Sequence, residues 1–273
     1  MKLYHPVGID LGTTLSSAAY VDADGHTQMV QNADDEILTP SAVLFEKDET
    51  IVGKEARKAR EFFPERIAEW AKRDIGQKYY ARPIGGANLP PEVILGCILR
   101  KLSSDVRAVV GDGFKVVITV PAYFDEARRK ATADAGEMSG LDVIDIVNEP
   151  TAAALAFGER LGYLTTDGAP RDTLNLLVYD LGGGTFDVTI IRLEPGQITT
   201  LATDGDVQLG GYDWDSQLLH YVEEQGFSGD PELLPLDARA ESSFRKAVEE
   251  AKHSLSVRNQ TTVQFSHADK SVQ

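Results

Sequence analysis

The chain has 273 residues, 42% of them apolar, and a formal net charge of −16. That is enough chain for two ordinary domains, or two lobes sharing a cleft. The acidic balance excludes a nucleic-acid backbone as the main partner, since binding phosphate strands depends on net positive surface.

No segment approaches the roughly 20 apolar residues of a membrane span, and the N-terminus leads into a strand with no signal-peptide core. The single cysteine, Cys97, leaves no internal disulfide and no cysteine-based metal site. It sits beside Ile94, Ile98 and Leu102 on a helical stripe and reads as core packing. The expectation is a cytoplasmic protein that binds neither nucleic acid nor membrane.

In chain order, Val7 to Asp10 and Ser16 to Val21 read as a first β-hairpin, with further strands at Thr27 to Gln31 and Ser41 to Phe45. A helix is expected over Glu55 to Phe63. Lys72 to Pro91, rich in Gly, Pro, Tyr and Asn, reads as loop. Pro91 to Val110 carries Ile94, Ile98, Leu102, Val106 and Val109 on one stripe and predicts a longer helix. Lys115 to Val120, KVVITV, is a continuous apolar run and therefore a central strand.

Asp125 can cap the next helix, with Ala127, Ala131, Ala135 and Met138 inward and Gly140 ending it. Leu141 to Val147 predicts a strand, and Thr151 to Leu161 a helix whose small residues allow close packing. Leu174 to Leu193 is a second hairpin, Ile198 to Thr203 a strand and Asp213 to Gln225 a helix. A helix over Arg239 to Val257 places Phe244, Val248, Ala251 and Leu255 together, and Thr261 to Phe265 is a short strand.

The two hairpins repeat one pattern about 170 positions apart: IDLGTTLS from Ile9 and YDLGGGTFDV from Tyr179. Each has an apolar run ending in aspartate, a leucine, a glycine-rich turn, a hydroxyl residue and a second strand. Glycine lets successive N–H groups come close to an anion. Gly12, Gly182, Gly183 and Gly184 therefore mark two anion-binding tips. Thr13, Thr14 and Thr185 add hydroxyl donors, and Asp10 and Asp180 can hold a cation or its water shell.

Repetition points to a duplicated unit, and two facing tips would clamp a polyphosphate with its magnesium. A dinucleotide or P-loop site needs a helix directly after the glycines. Here Phe186 to Leu193 alternates like a strand instead. The first unit continues through strand, helix, strand and helix, whereas the second has no counterpart of that run. The chain is therefore expected to be a piece of a longer one, with an unfinished second half and an exposed sheet edge prone to association.

With those hairpins in place, GIDLGTT, LTPSAV, VITVPAYF, NEPTAAAL, DLGGGTFDV and GDVQLGG, in this order, closely resemble the nucleotide-binding domain of the seventy-kilodalton heat-shock (DnaK-type) chaperone family. The resemblance covers nearly the whole chain. It implies an α/β, actin-like and ribonuclease H-like fold of two lobes with duplicated hairpin cores. The first lobe would be 1–165, with a shortened inserted subdomain near 33–90. The second, partial lobe would be 166–273, divided into a hairpin core at 172–205 and a helical part at 206–273.

It also implies ATP and ADP as ligands, Mg2+ or K+ as cations, ATP hydrolysis, and three kinds of partner: a J-domain co-chaperone, a nucleotide-exchange factor and unfolded polypeptide. Carried over, Lys72 matches the catalytic lysine, Glu149 the carboxylate that orients water, and Asp180 and Thr185 the γ-phosphate side of the site. Asp10, Asp180 and Asp187 match cation positions. Gly210 and Gly211 match a close-approach turn beside the nucleotide; Glu249, Lys252 and Ser256 match adenosine contacts; Pro121 and Arg129 match a relay to a substrate domain.

Bland readings coexist: a surface lysine for Lys72, a helix start for Glu149, and a surface ion pair for Glu249 and Lys252. There are departures as well. Lys72 to Pro91 is short, Tyr212 and Trp214 replace an acidic residue and a phenylalanine, His253 is unusual, and a second adenosine loop and the peptide-binding domain lie beyond this sequence. ATP binding by this chain alone is therefore expected to be weak. An actin-like filament protein, a sugar kinase and a nucleotide-incompetent binding module are the alternatives within the same superfamily. Against the kinase, no acceptor aspartate stands in a sugar-site context.

Overall fold

The computed structural model describes residues 4–164, 172–195, 197–226, 236–267 and 270–272. The first hairpin pairs β1 (His5–Asp10) with β2 (Leu15–Val21), and β3 (Thr27–Met29) extends it. Two runs of β-branched residues, β8 (Phe114–Val120) and β9 (Val143–Asn148), join β1 in parallel, giving the order β3-β2-β1-β8-β9. A two-residue strand not expected from the sequence, β4 (Thr39–Pro40), pairs with the start of β2.

Between β4 and the helices lies a small sheet of β5 (Ala42–Phe45), β6 (Thr50–Val52) and β7 (Ile67–Glu69), covered by α1 (Lys54–Ala59). Parallel strands need crossovers, and here α2 (Pro91–Val110) precedes β8 while α3 (Glu126–Met138) links β8 to β9. Ile9, Leu11, Ile94, Ile98, Leu99, Val116 and Ile118 are fully buried where α2 and the sheet meet.

Asp125 caps α3 as expected, its Oδ1 accepting from the Arg128 amide at 2.9 Å. The buried stripe of α3 differs from the expected one: Ala131, Thr132, Ala135 and Gly136 face inward, while Ala127 and Met138 are exposed. The cause is the closeness of the packing. A β-carbon on Gly136 would lie 2.6 Å from Val143 Cγ2, so the helix is centred on its small residues and its end turns overhang. Val109, in the last turn of α2, is exposed as well.

α4 (Glu149–Arg160) leaves β9 directly, and its buried Ala154 packs under Ile191 and Leu193 of the second hairpin. That hairpin is β10 (Leu174–Leu181) with β11 (Phe186–Glu194), extended antiparallel by β12 (Gln197–Asp206) with a bulge between Ile190 and Ile191. Among the described residues β10 and β12 pair only with β11, so both edges are open. Leu177, Tyr179 and Leu181 point outward on the face away from α4.

α5 (Gly211–Gly226) and α6 (Ala238–Leu255) pack around Phe244 and Val248, which are fully buried, with Phe244 4.9 Å from the ring of Phe265. Leu255, expected inward, is exposed at the last residue of α6. The final hairpin is β13 (Phe265–His267) with β14 (Lys270–Val272), so the strand expected at Thr261 starts four residues later. Cys97 is partly buried against the first core, which pushes its thiol up. No helix among the described residues is long and apolar enough to cross a membrane.

Candidate active site

The two glycine tips meet. A β-carbon on Gly183 would lie 1.9 Å from Thr14 Oγ1, one on Gly184 2.5 Å from Thr13 Cγ2, and one on Gly210 2.4 Å from the Gly184 nitrogen. Side chains at these three positions would force the tips apart, which explains the glycines without reference to a ligand. The first tip is braced by Ser41, whose Oγ donates to the Gly12 carbonyl at 2.8 Å and whose amide donates to Thr14 O at 2.9 Å.

The second tip is held by the start of α5: the Gly211 and Tyr212 amides donate to the Gly182 and Gly183 carbonyls at 3.0 and 2.9 Å. Gly211 and Tyr212 therefore secure the second tip with helix amides otherwise left unpaired, while the Gly210 amide donates to Asp213 Oδ2 at 2.8 Å and its missing side chain allows the close approach to Gly184.

Below the tips lies a cleft of about 600 Å³, lined by Asp10, Gly12 to Thr14, Lys72, Thr119, Glu149, Asp180, Gly182, Gly183 and Thr185. Lys72 stands on a short 3-10 turn, Ala71–Asp74, and is only 4% exposed. Its Nζ pairs with Glu149 Oε1 at 2.6 Å and lies 5.8 Å from the Phe124 ring. Glu149 is in the first turn of α4, where the helix dipole favours a carboxylate. Two residues 77 positions apart are thus joined in a nearly buried pair.

Burial pushes the Glu149 carboxyl above its ordinary range; Lys72 opposes this, and Asp10 and Asp180 add to the push. Asp180 is raised by burial and by the charge of Asp10. Such crowded carboxylates favour a cation. Among the described residues, however, no three His, Cys, Asp or Glu side chains converge on one point, so a hard cation here would share its shell with water and ligand oxygens.

Asp10 accepts from Thr119 Oγ1 at 3.1 Å. Asp187, almost fully buried, does not line the cleft: its Oδ1 accepts from the Tyr123 amide at 3.1 Å, and burial raises its carboxyl. The arrangement suits a polyphosphate with a bound cation. Residues of both glycine tips line the cleft, a buried ammonium can stabilise anionic oxygen, and a carboxylate can orient water.

The expected adenosine residues are engaged elsewhere. Glu249 ion-pairs with Arg57, and its other oxygen with Arg60 at 2.8 Å. Burial works against the Glu249 charge, but the two arginines outweigh it and hold the carboxyl below its ordinary range. Lys252 Nζ pairs with Asp215 at 2.7 Å and donates to the Gly211 carbonyl at 3.2 Å, while Ser256 caps the end of α6. The seam between α1 and α6 is therefore closed on the side expected for the base.

Further ties cross the seam, Lys246 to Glu61 at 2.5 Å and Ser242 Oγ to the Arg60 carbonyl at 3.0 Å, and beside it the Lys72 turn is tied to α5 by Arg73, which reaches both Asp213 oxygens at 2.6 and 2.8 Å. Arg57, Arg60 and Arg73 were not among the expected site residues, and no local pattern marks them. Pro121 ends β8, and Arg129 on α3 donates to the Phe124 carbonyl at 3.1 Å and to Asn148 Oδ1, next to Glu149.

The chain matches the family model described as Hsp70 protein over residues 6–271. It is similar to the chaperone protein DnaK of Thermotoga petrophila and to that of Thermotoga maritima, each 42% identical over 259 residues, which cover 94% of this chain and 42% of the relative. It thus spans 42% of the length of these curated relatives. By the match over nearly its whole length, the chain belongs to the Hsp70 protein family, whose nucleotide-binding domain has the actin-like, ribonuclease H-like α/β fold to which the β3-β2-β1-β8-β9 order conforms.

Proposed function

We propose that this chain is an ATP-binding and ATP-hydrolysing domain of a DnaK-type chaperone, with its two glycine tips clamping the phosphates. The single observation that carries this reading is the buried Lys72–Glu149 pair at 2.6 Å beneath two touching tips. Residues 1–165 and 166–273 would be its two lobes.

Thr13, Thr14 and Thr185 would donate to phosphate oxygens, Lys72 would stabilise charge developing on the γ-phosphate, and Glu149 would hold the attacking water and accept its proton. Asp10 and Asp180 would hold Mg2+, with Asp187 nearby for K+; a bound metal would neutralise phosphate charge. For Glu249, Lys252 and Ser256 to meet adenosine, the Arg57 and Arg60 bridges to Glu249 must open. Pro121 and Arg129 would relay nucleotide state, since Arg129 ends on Asn148 beside Glu149. A J-domain co-chaperone, an exchange factor and unfolded polypeptide are the proposed partners of the assembled chaperone, and the cytoplasm its location.

Isothermal titration of Mg2+-ATP into this chain, and into a chimera completed with the C-terminal part of the Thermotoga maritima relative, tests the proposal. Weak binding by the chain and strong binding with slow turnover by the chimera is the expected result; a chimera that neither binds nor hydrolyses ATP would overturn it.

A further inference from the structure

Trp70 has φ 58° and ψ 20°, a left-handed backbone that a bulky side chain adopts only where its surroundings impose it. It opens the turn that carries Lys72, and its carbonyl accepts from the Arg73 amide at 2.9 Å. Its ring packs against Tyr212, at the start of α5, with centroids 5.0 Å apart and planes at 60°.

Arg245 of α6 lies over both rings, 5.8 Å from Trp70 and 5.2 Å from Tyr212. Arg73 covers Tyr212 at 4.6 Å and grips Asp213 with both nitrogens. The same turn therefore presents two residues outward to α5 and α6, and one, Lys72, inward to Glu149. Tyr212 is also the residue whose amide holds the second glycine tip through Gly183.

We propose that Trp70 is a positioning residue: its contact with Tyr212 and Arg245 holds the 70–73 turn in the conformation that delivers Lys72 to Glu149, so that the lysine is placed only when α5 and α6 close on the turn. The structure shows the closed arrangement; the open one is its loss. With α5 and α6 closed on the turn, the left-handed Trp70 is supported by the Tyr212 ring and the Arg245 guanidinium. With the seam open that support is lost, and the turn can relax to ordinary backbone and release the lysine. The device rests on the proposed ATPase reading only for its purpose, not for its existence.

The first test needs no nucleotide. Competitive acylation with mass-spectrometric readout compares the reactivity of Lys72 with that of exposed Lys78 and with Lys252, which reports on the α5–α6 side. In the unaltered chain Lys72 should react at least about tenfold more slowly than Lys78, as a sealed amine does. Trp70→Ala and Tyr212→Ala should each raise Lys72 labelling at least about fivefold with Lys252 unchanged, Trp70→Phe should largely restore protection, and the double alanine variant should be no worse than either single one.

Unchanged protection of Lys72 in both alanine variants would overturn the proposal. So would a parallel rise at Lys252, which would mean general loosening, or additive effects in the double variant. In the completed chimera, Trp70→Ala should lower the single-turnover hydrolysis rate about tenfold or more while affinity for Mg2+-ATP changes less than about threefold. Failure of the chimera to bind nucleotide would refute the ATPase reading and leave the labelling result standing.

Discussion

Replacing Lys72 by Met removes the cation paired with Glu149 while nearly conserving volume. The Glu149 side chain is 14% exposed and has Asp10 and Asp180 as neighbours, so an ionised carboxylate would be left buried among like charges. Breaking one side of a buried pair costs about 3–5 kcal/mol. Glu149 can limit that cost by taking up a proton, because burial already holds its carboxyl above the usual range even with Lys72 in place.

The sign follows from linkage: a group whose pKa is raised in the folded state favours folding below its unfolded value, near 4.5. That contribution is lost as pH rises through the folded value. Without Lys72 the folded value rises further, so the variant should lose about 3 kcal/mol or more at pH 8 and little at about pH 4. A loss of 3 kcal/mol is about 6–12 °C in the melting temperature of a chain this size. Thermal and urea unfolding at several pH values read both terms. Equal destabilisation at pH 4 and pH 8 would show that Glu149 does not pair with Lys72 as described.

Gly183→Ala should separate the tips, because its new carbon would meet Thr14 Oγ1 at 1.9 Å; in the completed chimera, titration should find Mg2+-ATP affinity lost, and unaltered affinity would count against the clamp. Asp180→Asn should stabilise the chain at pH 8 in the absence of cations, since burial and Asp10 raise the native carboxyl. The gain should shrink as pH falls toward and below the unfolded value of 3.8, and melting curves across that range decide. Phe244→Ala empties a fully buried site against Phe265 and should cost about 3–5 kcal/mol in urea unfolding; a loss under about 1 kcal/mol would mean that α5 and α6 do not form a cooperative unit.

The hairpins, α2 and α6 were legible because each has a period that one face of a sheet or helix must bury, and the central strand because it is an unbroken apolar run. The stripe of α3 was misjudged at Ala127 and Met138, since how closely a helix approaches a sheet depends on Gly136 meeting Val143, a contact across elements that no local period contains. β4 was missed because two residues carry no periodicity. The phosphate end of the site was readable from glycine, threonine and aspartate in a repeated order. The seam was not: Arg73 finds Asp213 140 positions away and Arg57 finds Glu249 192 away, and an arginine in a helix looks the same whether it faces water or another helix. Trp70 was equally silent, since a left-handed backbone is expected of glycine or asparagine.

α4 begins at Glu149 and rests by Ala154 on the second hairpin. A helix rises about 1.5 Å per residue, so the carboxylate sits about 7.5 Å from that fulcrum, and a tilt of about 5° carries it about 0.7 Å. Against a 2.6 Å bond to Lys72, such a displacement directed along the bond stretches it to about 3.3 Å, beyond the ordinary hydrogen-bond range. α4 is in effect a lever with its short arm in the cleft, so a tilt of the helix on the second sheet is felt first as a weakening of the Lys72–Glu149 hydrogen bond.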